Sequence, residues 1–237
     1  MEENSLKKIG IIGAMDLEVS TLIEKMNVVK TVTKAGMTFN EGKICDTDVV
    51  VVKCGIGKVN AGICVQILVD LFDVTHVINT GVAGSLKDVI DIGDIVVSTD
   101  AVEHDMDVSP LGYKKGQIPQ IDRFSFEADP AMRDEAVATC KKVNPDINVY
   151  TGRVVSGDQF ISDKKVKEGL IADFDGYCAE MEGGAIAHVA YLNKVPFVVI
   201  RAISDKADDS AQMDYPTFEK KAAEHCAALI LDMVGRI

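Results

Sequence analysis

The chain has 237 residues, of which 47% are apolar, and a formal net charge of −12. This length suits one large domain as well as two small ones, and because no Gly/Ser-rich or Pro-rich linker interrupts the chain, we expect a single domain over residues 1–237. The 37 acidic residues outnumber the 25 basic ones, which are dispersed, so nucleic acid is not expected as the main partner. The acidity favours a well-solvated surface.

The chain begins with a polar segment, and the apolar run that follows is broken by glycine too early for a secretory signal. No run approaches the roughly 20 apolar residues of a membrane helix, so no membrane partner is expected. The six cysteines show none of the close pairs typical of disulfide or metal frameworks, and the four histidines lack metal-ligand spacing. We therefore expect a cytoplasmic protein without a metal site.

Short apolar runs alternate with amphipathic segments along the chain. The runs predict strands at 9–12, 39–45, 49–53, 76–79, 94–98, 148–155 and 197–203. The amphipathic segments predict helices at 16–26, 58–72, 129–143, 181–192 and 215–234. Most of the strand runs are nearly continuous, which suits strands covered on both faces, whereas 39–45 is expected to form a hairpin with the next strand. The pattern predicts a three-layer α/β/α fold with a central mixed, mostly parallel twisted sheet.

Ligands bind beyond the carboxyl ends of the strands in open α/β sheets, and distinctive residues follow the first strand. Gly13 and Ala14 leave room for a ligand near the backbone, and Glu18 lies in the first turn of the next helix. The segment lacks the GxGxxG pattern of dinucleotide-binding proteins. Taken alone, Glu18 also fits a solvated glutamate that the positive end of the helix dipole favours.

Two more glycine-rich segments follow the next predicted strands. The segment 54–59 lacks the Ser or Thr of a Walker loop, so a tight strand-to-helix turn is favoured over a phosphate cradle. The segment 79–85 predicts a turn whose backbone amides, around Ala83 and Gly84, could line a small pocket or simply close the turn.

The second half of the chain supplies an aromatic ring and two carboxylates. Phe160 lies in a polar turn, where it could stack on a nucleobase or fold back onto the core. Glu182 could accept hydrogen bonds from the two vicinal hydroxyls of a ribose, or only favour a helix N-terminus. Asp205 ends the most apolar strand, which suits a general acid, although an N-cap is the alternative. Together with Glu18, these residues predict one site at the strand ends, and no Cys–His or Ser–His–Asp arrangement competes with it.

These segments, in this order and spacing, resemble the nucleoside phosphorylase/nucleosidase superfamily, and within it the methylthioadenosine/S-adenosylhomocysteine nucleosidase branch. The resemblance runs from Ile9 to about Met233. Its most specific motifs are GIIGAMxxE at 10–18, KCGIGKVNA at 53–61, GDIVVS at 93–98, VSGDxFI at 155–161, EMEG at 180–183 and FVVIRAISDKAD at 197–208.

The resemblance implies hydrolysis of an N-glycosidic bond through an oxocarbenium-like transition state, with adenine leaving. Asp205 would direct a proton to N7 of adenine, and Glu18 would deprotonate the attacking water. Glu182 would bind the 2′- and 3′-hydroxyls of the ribose. The other implied contacts are Met181 at the sugar, Phe160 and Ile161 at the purine, Ala83 and Gly84 in the pocket wall, Arg201 near the acid, and Ile56 and Tyr215 at the 5′-substituent.

The resemblance also implies a homodimer that acts in methionine salvage without a cofactor or metal. Val108, Leu111 and Pro119 of the neighbouring subunit would close the 5′-substituent pocket. Two positions depart from the pattern. Val82 stands where many relatives have serine, which removes a hydroxyl near the ribose and the water, and Leu111 replaces an aromatic residue of some relatives.

Three alternatives stay open. A phosphorylase would need arginines converging on phosphate, but the segments 10–18 and 79–85 contain none, and Glu18 would repel the anion. A hydrolase of the same branch that acts on futalosine-type or 5′-deoxyadenosine substrates would use the same three carboxylates. A noncatalytic nucleoside-binding protein would need the ribose clamp but not both an acid and a base.

Overall fold

The computed structural model describes residues 7–237. Within them, strands and helices alternate along most of the chain. The strands are β1 (Lys8–Gly13), β2 (Asn27–Lys34), β3 (Met37–Ile44), β4 (Thr47–Lys53), β5 (His76–Ser85), β6 (Ile95–Glu103), β7 (Phe126–Glu127), β8 (Val149–Ser156), β9 (Cys178–Glu180) and β10 (Phe197–Asp205). The helices are α1 (Asp16–Lys25), α2 (Lys58–Phe72), α3 (Pro130–Val143), α4 (Lys164–Phe174), α5 (Gly183–Leu192) and α6 (Ala211–Met233).

One sheet connects all ten of these strands, and it closes on itself at one end. The strands β5, β9, β8, β6 and β10 pair in a ring, because β10 bonds to both β6 and β5. The sheet continues from β5 through β1, β4 and β3 to β2. Five of the ten pairings are parallel: β1–β4, β1–β5, β5–β10, β6–β8 and β8–β9. The sheet is therefore mixed, as predicted, and partly closed instead of fully open.

Helices cover both faces of this sheet. On one face α2 packs against α5, and on the other α6 packs against α1 and α3. Each face has its own apolar cluster of fully buried side chains, with Leu68 in one and Leu22 in the other. Burying a side chain of this size contributes roughly 1.5–3 kcal/mol, so the two clusters hold the layers together. The predicted α/β/α arrangement is confirmed.

The start of α3 shows how local sequence sets an element. Asp129 is the N-cap, and its carboxylate accepts a hydrogen bond of 2.9 Å from the Met132 N–H. Pro130 occupies the first helical position, where it lacks only an N–H that would have no partner inside the helix. The predicted helix over 129–143 therefore agrees with the structure.

The structure contains four further elements that the sequence did not indicate, and one of them is the two-residue strand β7. Strand β2 lies at the edge of the sheet and is almost entirely exposed, so it carries no apolar alternation. Helix α4 buries Lys167 beside Leu170 and Phe174, and a lysine at a buried position masks the apolar stripe. Strand β9 is only three residues long. Helix α6 also begins at Ala211, four residues before its predicted start at 215.

The predicted turn over 79–85 is wrong, since this segment is the second half of strand β5 and is buried throughout. Its glycines are explained by close approach to other side chains. A Cβ on Gly81 would overlap the Arg201 guanidinium and the Glu18 carboxylate. The absence of a side chain at Gly81 therefore leaves room for both groups against the strand.

Across residues 7–237, none of the helices combines the length and the apolar character needed to cross a membrane.

Candidate active site

A cavity of about 340 Å³ lies where the carboxyl ends of β1, β8, β9 and β10 approach the second half of β5. Most of the site residues predicted from the sequence line it. They are Glu18, Ile56, Ala83, Gly84, Phe160, Ile161, Met181, Glu182, Asp205 and Tyr215. The partly closed sheet therefore brings together segments that are up to about 200 residues apart in the chain.

Glu18 is buried in the first turn of α1, so the solvated alternative is excluded. One carboxylate oxygen accepts hydrogen bonds from the N–H groups of Ala14 (2.6 Å) and Met15 (3.0 Å), and the other accepts one from Val82 (3.0 Å). Burial raises the pKa of Glu18, while the Arg201 charge and these amides oppose the rise. The result is a firmly held carboxylate that binds a proton more readily than one in water, as a general base requires.

Val82 holds Glu18 through its backbone alone. Its side chain lines the cavity, and its N–H donates to Glu18. The hydroxyl that a serine would bring is missing from this wall, but the position of the Glu18 carboxylate does not depend on it.

The two glutamates of the EMEG motif have different roles. Glu180 accepts hydrogen bonds from the N–H groups of Glu182 (3.1 Å) and Gly183 (2.8 Å), so it caps α5. Ser156 and Arg201 donate to the same carboxylate. Glu182 makes no capping hydrogen bond and lines the cavity instead. The alternative in which Glu182 serves only the helix N-terminus is therefore not adopted.

The Glu182 carboxylate is fixed by the loop before α2. One oxygen accepts a hydrogen bond of 2.9 Å from the Gly57 N–H, and the neighbouring Lys58 N–H donates to Asp158, also at 2.9 Å. Because carboxylates of the chain already use these amides, the loop is a structural turn and not a phosphate cradle. Burial, together with the charge of Glu180, raises the pKa of Glu182 to about 7.

Asp205 is buried at the end of β10. One oxygen accepts a hydrogen bond from the Ala207 N–H (2.8 Å), and the other accepts one from the Ser204 hydroxyl (2.9 Å). Burial raises the pKa of Asp205 and the charges of Asp214 and Asp208 add to the rise, whereas the two hydrogen bonds oppose it. A carboxyl group in this setting keeps its proton at higher pH than an exposed aspartate, which suits a general acid.

Arg201 is fully buried in β10 and does not line the cavity, although the sequence grouped it with the substrate-binding residues. Its guanidinium donates to Glu180 and to Asn79 (2.6 Å), and it lies 3.5 Å from Glu182. It therefore pairs with carboxylates on the sugar side of the predicted site and not with Asp205. This buried cation offsets the negative charge that the acidic residues bring to the cavity.

Aromatic side chains form one edge of the cavity. The rings of Phe160 and Tyr215 meet edge to face with 5.7 Å between their centroids, and the Tyr215 hydroxyl lies 3.2 Å from the Met15 sulfur. Phe160 is 49% exposed, so it is not folded back onto the core. The edge-to-face contact leaves part of the Phe160 ring available to a planar ligand.

Val108, Leu111 and Pro119 do not line the cavity of their own chain. They belong to the segment between β6 and β7, and the Leu111 side chain is 75% exposed. Their predicted contribution from a neighbouring subunit stays a prediction.

Some site residues were not found from the sequence. Glu180 lies in a recognised motif, but nothing in the sequence indicates which of the two glutamates caps the helix. Gly57 and Ser204 act through single hydrogen bonds that depend on the folded structure. Gln159 also lines the cavity. The one sequence signal for a role of Gln159 is its position next to Phe160.

The chain matches the sequence model of the phosphorylase superfamily over residues 8–235. The crystal structure of a methylthioadenosine/S-adenosylhomocysteine nucleosidase from Neisseria meningitidis, in complex with methylthio-immucillin-A, is similar to it with a TM-score of 0.93 at 34% identity. That similarity covers 98% of this chain and 100% of the other. The phosphorylase superfamily is therefore the class to which the fold belongs.

At the level of sequence, the chain is 41% identical to the 5′-methylthioadenosine/S-adenosylhomocysteine nucleosidase of an Exiguobacterium species over 234 residues, which cover 97% of this chain and 98% of that protein. The native structure of the futalosine hydrolase of Helicobacter pylori has a TM-score of 0.92 at 32% identity, covering 98% of this chain and 99% of that one. The chain belongs to the phosphorylase superfamily and, within it, to the 5′-methylthioadenosine/S-adenosylhomocysteine nucleosidase family. The resemblance seen in the sequence motifs is confirmed.

Proposed function

We propose that the protein hydrolyses the N-glycosidic bond of 5′-methylthioadenosine and S-adenosylhomocysteine, and also that of 5′-deoxyadenosine, to release adenine and the 5-substituted ribose. The observation that carries this proposal is the convergence of three buried carboxylates, Glu18, Glu182 and Asp205, on one cavity. The nucleosidases among the relatives give the substrate class.

The reaction needs a general acid at the adenine and a general base at the attacking water. Asp205 transfers its proton to N7 of adenine, so the C1′–N9 bond breaks with a neutral leaving group and an oxocarbenium-like ribosyl group remains. Water bonds to C1′ and gives its proton to Glu18. Such acid–base catalysis contributes typically 10²–10⁴-fold for each group.

Binding contacts follow from the walls of the cavity. Glu182 accepts hydrogen bonds from the 2′- and 3′-hydroxyls of the ribose, and Met181 packs against the sugar. Phe160 stacks on the purine, whose edge is bound by the backbone at Phe160 and Ile161. Ile56 and Tyr215 contact the 5′-substituent, and Ala83 and Gly84 complete the wall.

The charge of the cavity favours water over phosphate as the nucleophile. The described residues that line the cavity include no lysine or arginine. They include four acidic residues, Glu18, Glu180, Glu182 and Asp205. A phosphate ion would have to approach these carboxylates without a cation to bind it.

A second candidate substrate class is futalosine, because the Helicobacter pylori futalosine hydrolase shares the fold. The three carboxylates would serve both reactions, so the carboxylates do not distinguish the two substrate classes. The experiment is release of the free base, followed by chromatography, from equal concentrations of methylthioadenosine, S-adenosylhomocysteine, 5′-deoxyadenosine and futalosine. Turnover of the first two supports the proposal, and turnover of futalosine alone would replace it.

The mechanism is tested with Asp205→Asn. We expect turnover of methylthioadenosine to fall by at least about 100-fold, while nucleoside binding measured by calorimetry stays within a few fold. Asp209→Asn, at an exposed position four residues away, is the matched control and should keep full activity. Near-normal turnover of Asp205→Asn would remove this residue as the acid.

The assembly and cellular role extend this proposal. The protein acts as a homodimer, in which Val108, Leu111 and Pro119 of the neighbouring subunit close the 5′-substituent pocket, and it serves methionine salvage in the cytoplasm. Support for the dimer comes from two exposed apolar residues. Leu111 is 75% exposed, and Ile56, which lines the cavity, is 54% exposed. Support for the cytoplasm comes from the six cysteines, which are all free thiols.

A further inference from the structure

Lys167 is a buried lysine that the proposed mechanism does not use. It lies on α4, and its side chain is only 9% exposed. The other buried residues of α4, Leu170 and Phe174, belong to an apolar cluster that also contains Ala207. Removing a lysine ammonium from water costs free energy unless hydrogen bonds and charges compensate, so its partners at this position indicate what it does.

The main partner of Lys167 is a single peptide group beside the predicted acid. The Lys167 Nζ donates a hydrogen bond of 2.7 Å to the backbone carbonyl of Lys206. The N–H of that same peptide group belongs to Ala207 and donates to the Asp205 carboxylate at 2.8 Å. A chain of two hydrogen bonds therefore runs from the ammonium, through one peptide plane, to Asp205.

This peptide group needs external support because of the backbone that follows it. Ala207 has a φ of +50°, a left-handed conformation that costs a residue with a side chain about 1–2 kcal/mol. A bond to the carbonyl end fixes the plane of the peptide, and with it the direction of the N–H. A cation at the carbonyl also polarises the peptide, which strengthens the hydrogen bond at the other end.

The other charges around this loop do not replace Lys167. The Lys206 ammonium points to the Ile90 carbonyl (2.6 Å) and Asp91 (3.2 Å), so it ties the loop to the segment after β5. Asp208 lies 3.8 Å from the Lys167 ammonium, beyond hydrogen-bond range. The carbonyl of Lys206 thus depends on Lys167.

We propose that Lys167 is a positioning residue for the reaction, which holds the Asp205 carboxyl group in its catalytic orientation through the Lys206–Ala207 peptide. This inference rests on the proposed function, and specifically on Asp205 as the acid. It assigns a role in the chemistry to α4, a helix that does not contain any of the three carboxylates.

The test compares Lys167→Met with Lys167→Arg, which keeps a cationic donor, and with Lys165→Met, an exposed lysine on the same helix. We expect Lys167→Met to lower kcat for methylthioadenosine about 10- to 100-fold while KM changes less than about threefold. Lys167→Arg should recover a large part of the lost kcat, and Lys165→Met should match the wild type. Melting temperatures show whether each variant is folded, and Lys167→Gln takes the place of Lys167→Met if the latter is not.

A second comparison separates positioning from a general loss of structure. If Lys167 acts through Asp205, then Lys167→Met should lower kcat no further in a chain that already carries Asp205→Asn. An equal loss in both backgrounds, or a normal kcat for Lys167→Met, would overturn the inference. Failure of the proposed function looks different, because the wild-type chain would then not release adenine from methylthioadenosine in phosphate-free buffer.

Discussion

Glu182 illustrates how a buried side chain couples its own ionisation to the stability of the protein. Its pKa is raised from an ordinary value of 4.5 to about 7, first by burial and then by the charge of Glu180. Below pH 4.5 the carboxyl group is protonated in both the folded and the unfolded chain. Between the two pKa values it is ionised only when unfolded, so the folded state loses relative stability as pH rises through this window.

We therefore predict a pH-dependent difference between the wild type and Glu182→Gln, whose amide cannot ionise. The free energy of unfolding of the wild type, relative to the variant, should fall by up to about 3 kcal/mol as pH rises from 4.5 to 7. Urea denaturation at a series of pH values measures it. Glu24→Gln, at an exposed position, controls for the loss of one carboxylate from an acidic chain. A difference that is constant across this range would contradict the burial of an ionisable group at Glu182.

At the residue scale, the sequence identified the three carboxylates but not the contacts that tell them apart. Glu18, Glu182 and Asp205 were recognisable because each follows a strand in a recurring motif. The division of roles between Glu180 and Glu182 depends on which one reaches the N–H groups of α5, and the Arg201 contacts depend on the packing of β10 beside β5. Such long-range geometry has no local signal in the sequence.

At the start of α2, a backbone amide holds a carboxylate that lies at the start of α5. Gly57 has a φ of +97°, and its N–H donates to Glu182. A Cβ at this position would lie 2.9 Å from the Asp158 carboxylate, in a conformation that side chains rarely adopt. We predict that Gly57→Ala raises KM for methylthioadenosine about tenfold, because the lost hydrogen bond releases the Glu182 carboxylate, which we propose binds the ribose.

A glycine elsewhere provides the control for this prediction. Gly36 also has a positive φ, of +77°, but no atom lies within 4 Å of a Cβ built on it. Gly36→Ala should thus destabilise the fold by about 1–2 kcal/mol, as backbone strain does, and leave KM unchanged. Steady-state kinetics and thermal unfolding of both variants measure the two effects. An equal KM for both would mean that the Gly57 amide does not position Glu182.

At the element scale, the sequence predicted those strands and helices that bury continuous apolar runs. It did not predict β2, whose residues are nearly all exposed, or α4, whose buried stripe includes a lysine. The glycines of 79–85 were also interpreted as a turn. Position 81 instead needs a glycine because the Arg201 guanidinium and the Glu18 carboxylate pack against it. The elements that were missed or misread are those whose residues serve contacts with other elements and not their own periodicity.

For the whole molecule, the cavity of a single chain is bordered by exposed apolar side chains. Ile56 and Phe160 line it and are 54% and 49% exposed, which is consistent with cover from a second subunit. We predict that light scattering after size exclusion gives a dimer. Leu111→Asp should shift it towards the monomer and lower kcat/KM by about tenfold or more, because a charge is costly at a closed apolar contact.

The matched control for the dimer is Val29→Asp, which places the same charge at a similarly exposed residue, 74% against 75%, on the edge strand β2. This variant should keep the mass and the activity of the wild type. Full activity of Leu111→Asp as a monomer would show that one chain holds a complete site.

The most direct test of the account is release of adenine from methylthioadenosine in phosphate-free buffer, and then with added phosphate. Because carboxylates and no cationic side chain line the cavity among the described residues, we predict equal rates in both buffers, with free 5-methylthioribose as the second product. Strict dependence on phosphate, with a sugar phosphate as the product, would contradict the hydrolytic role of Glu18.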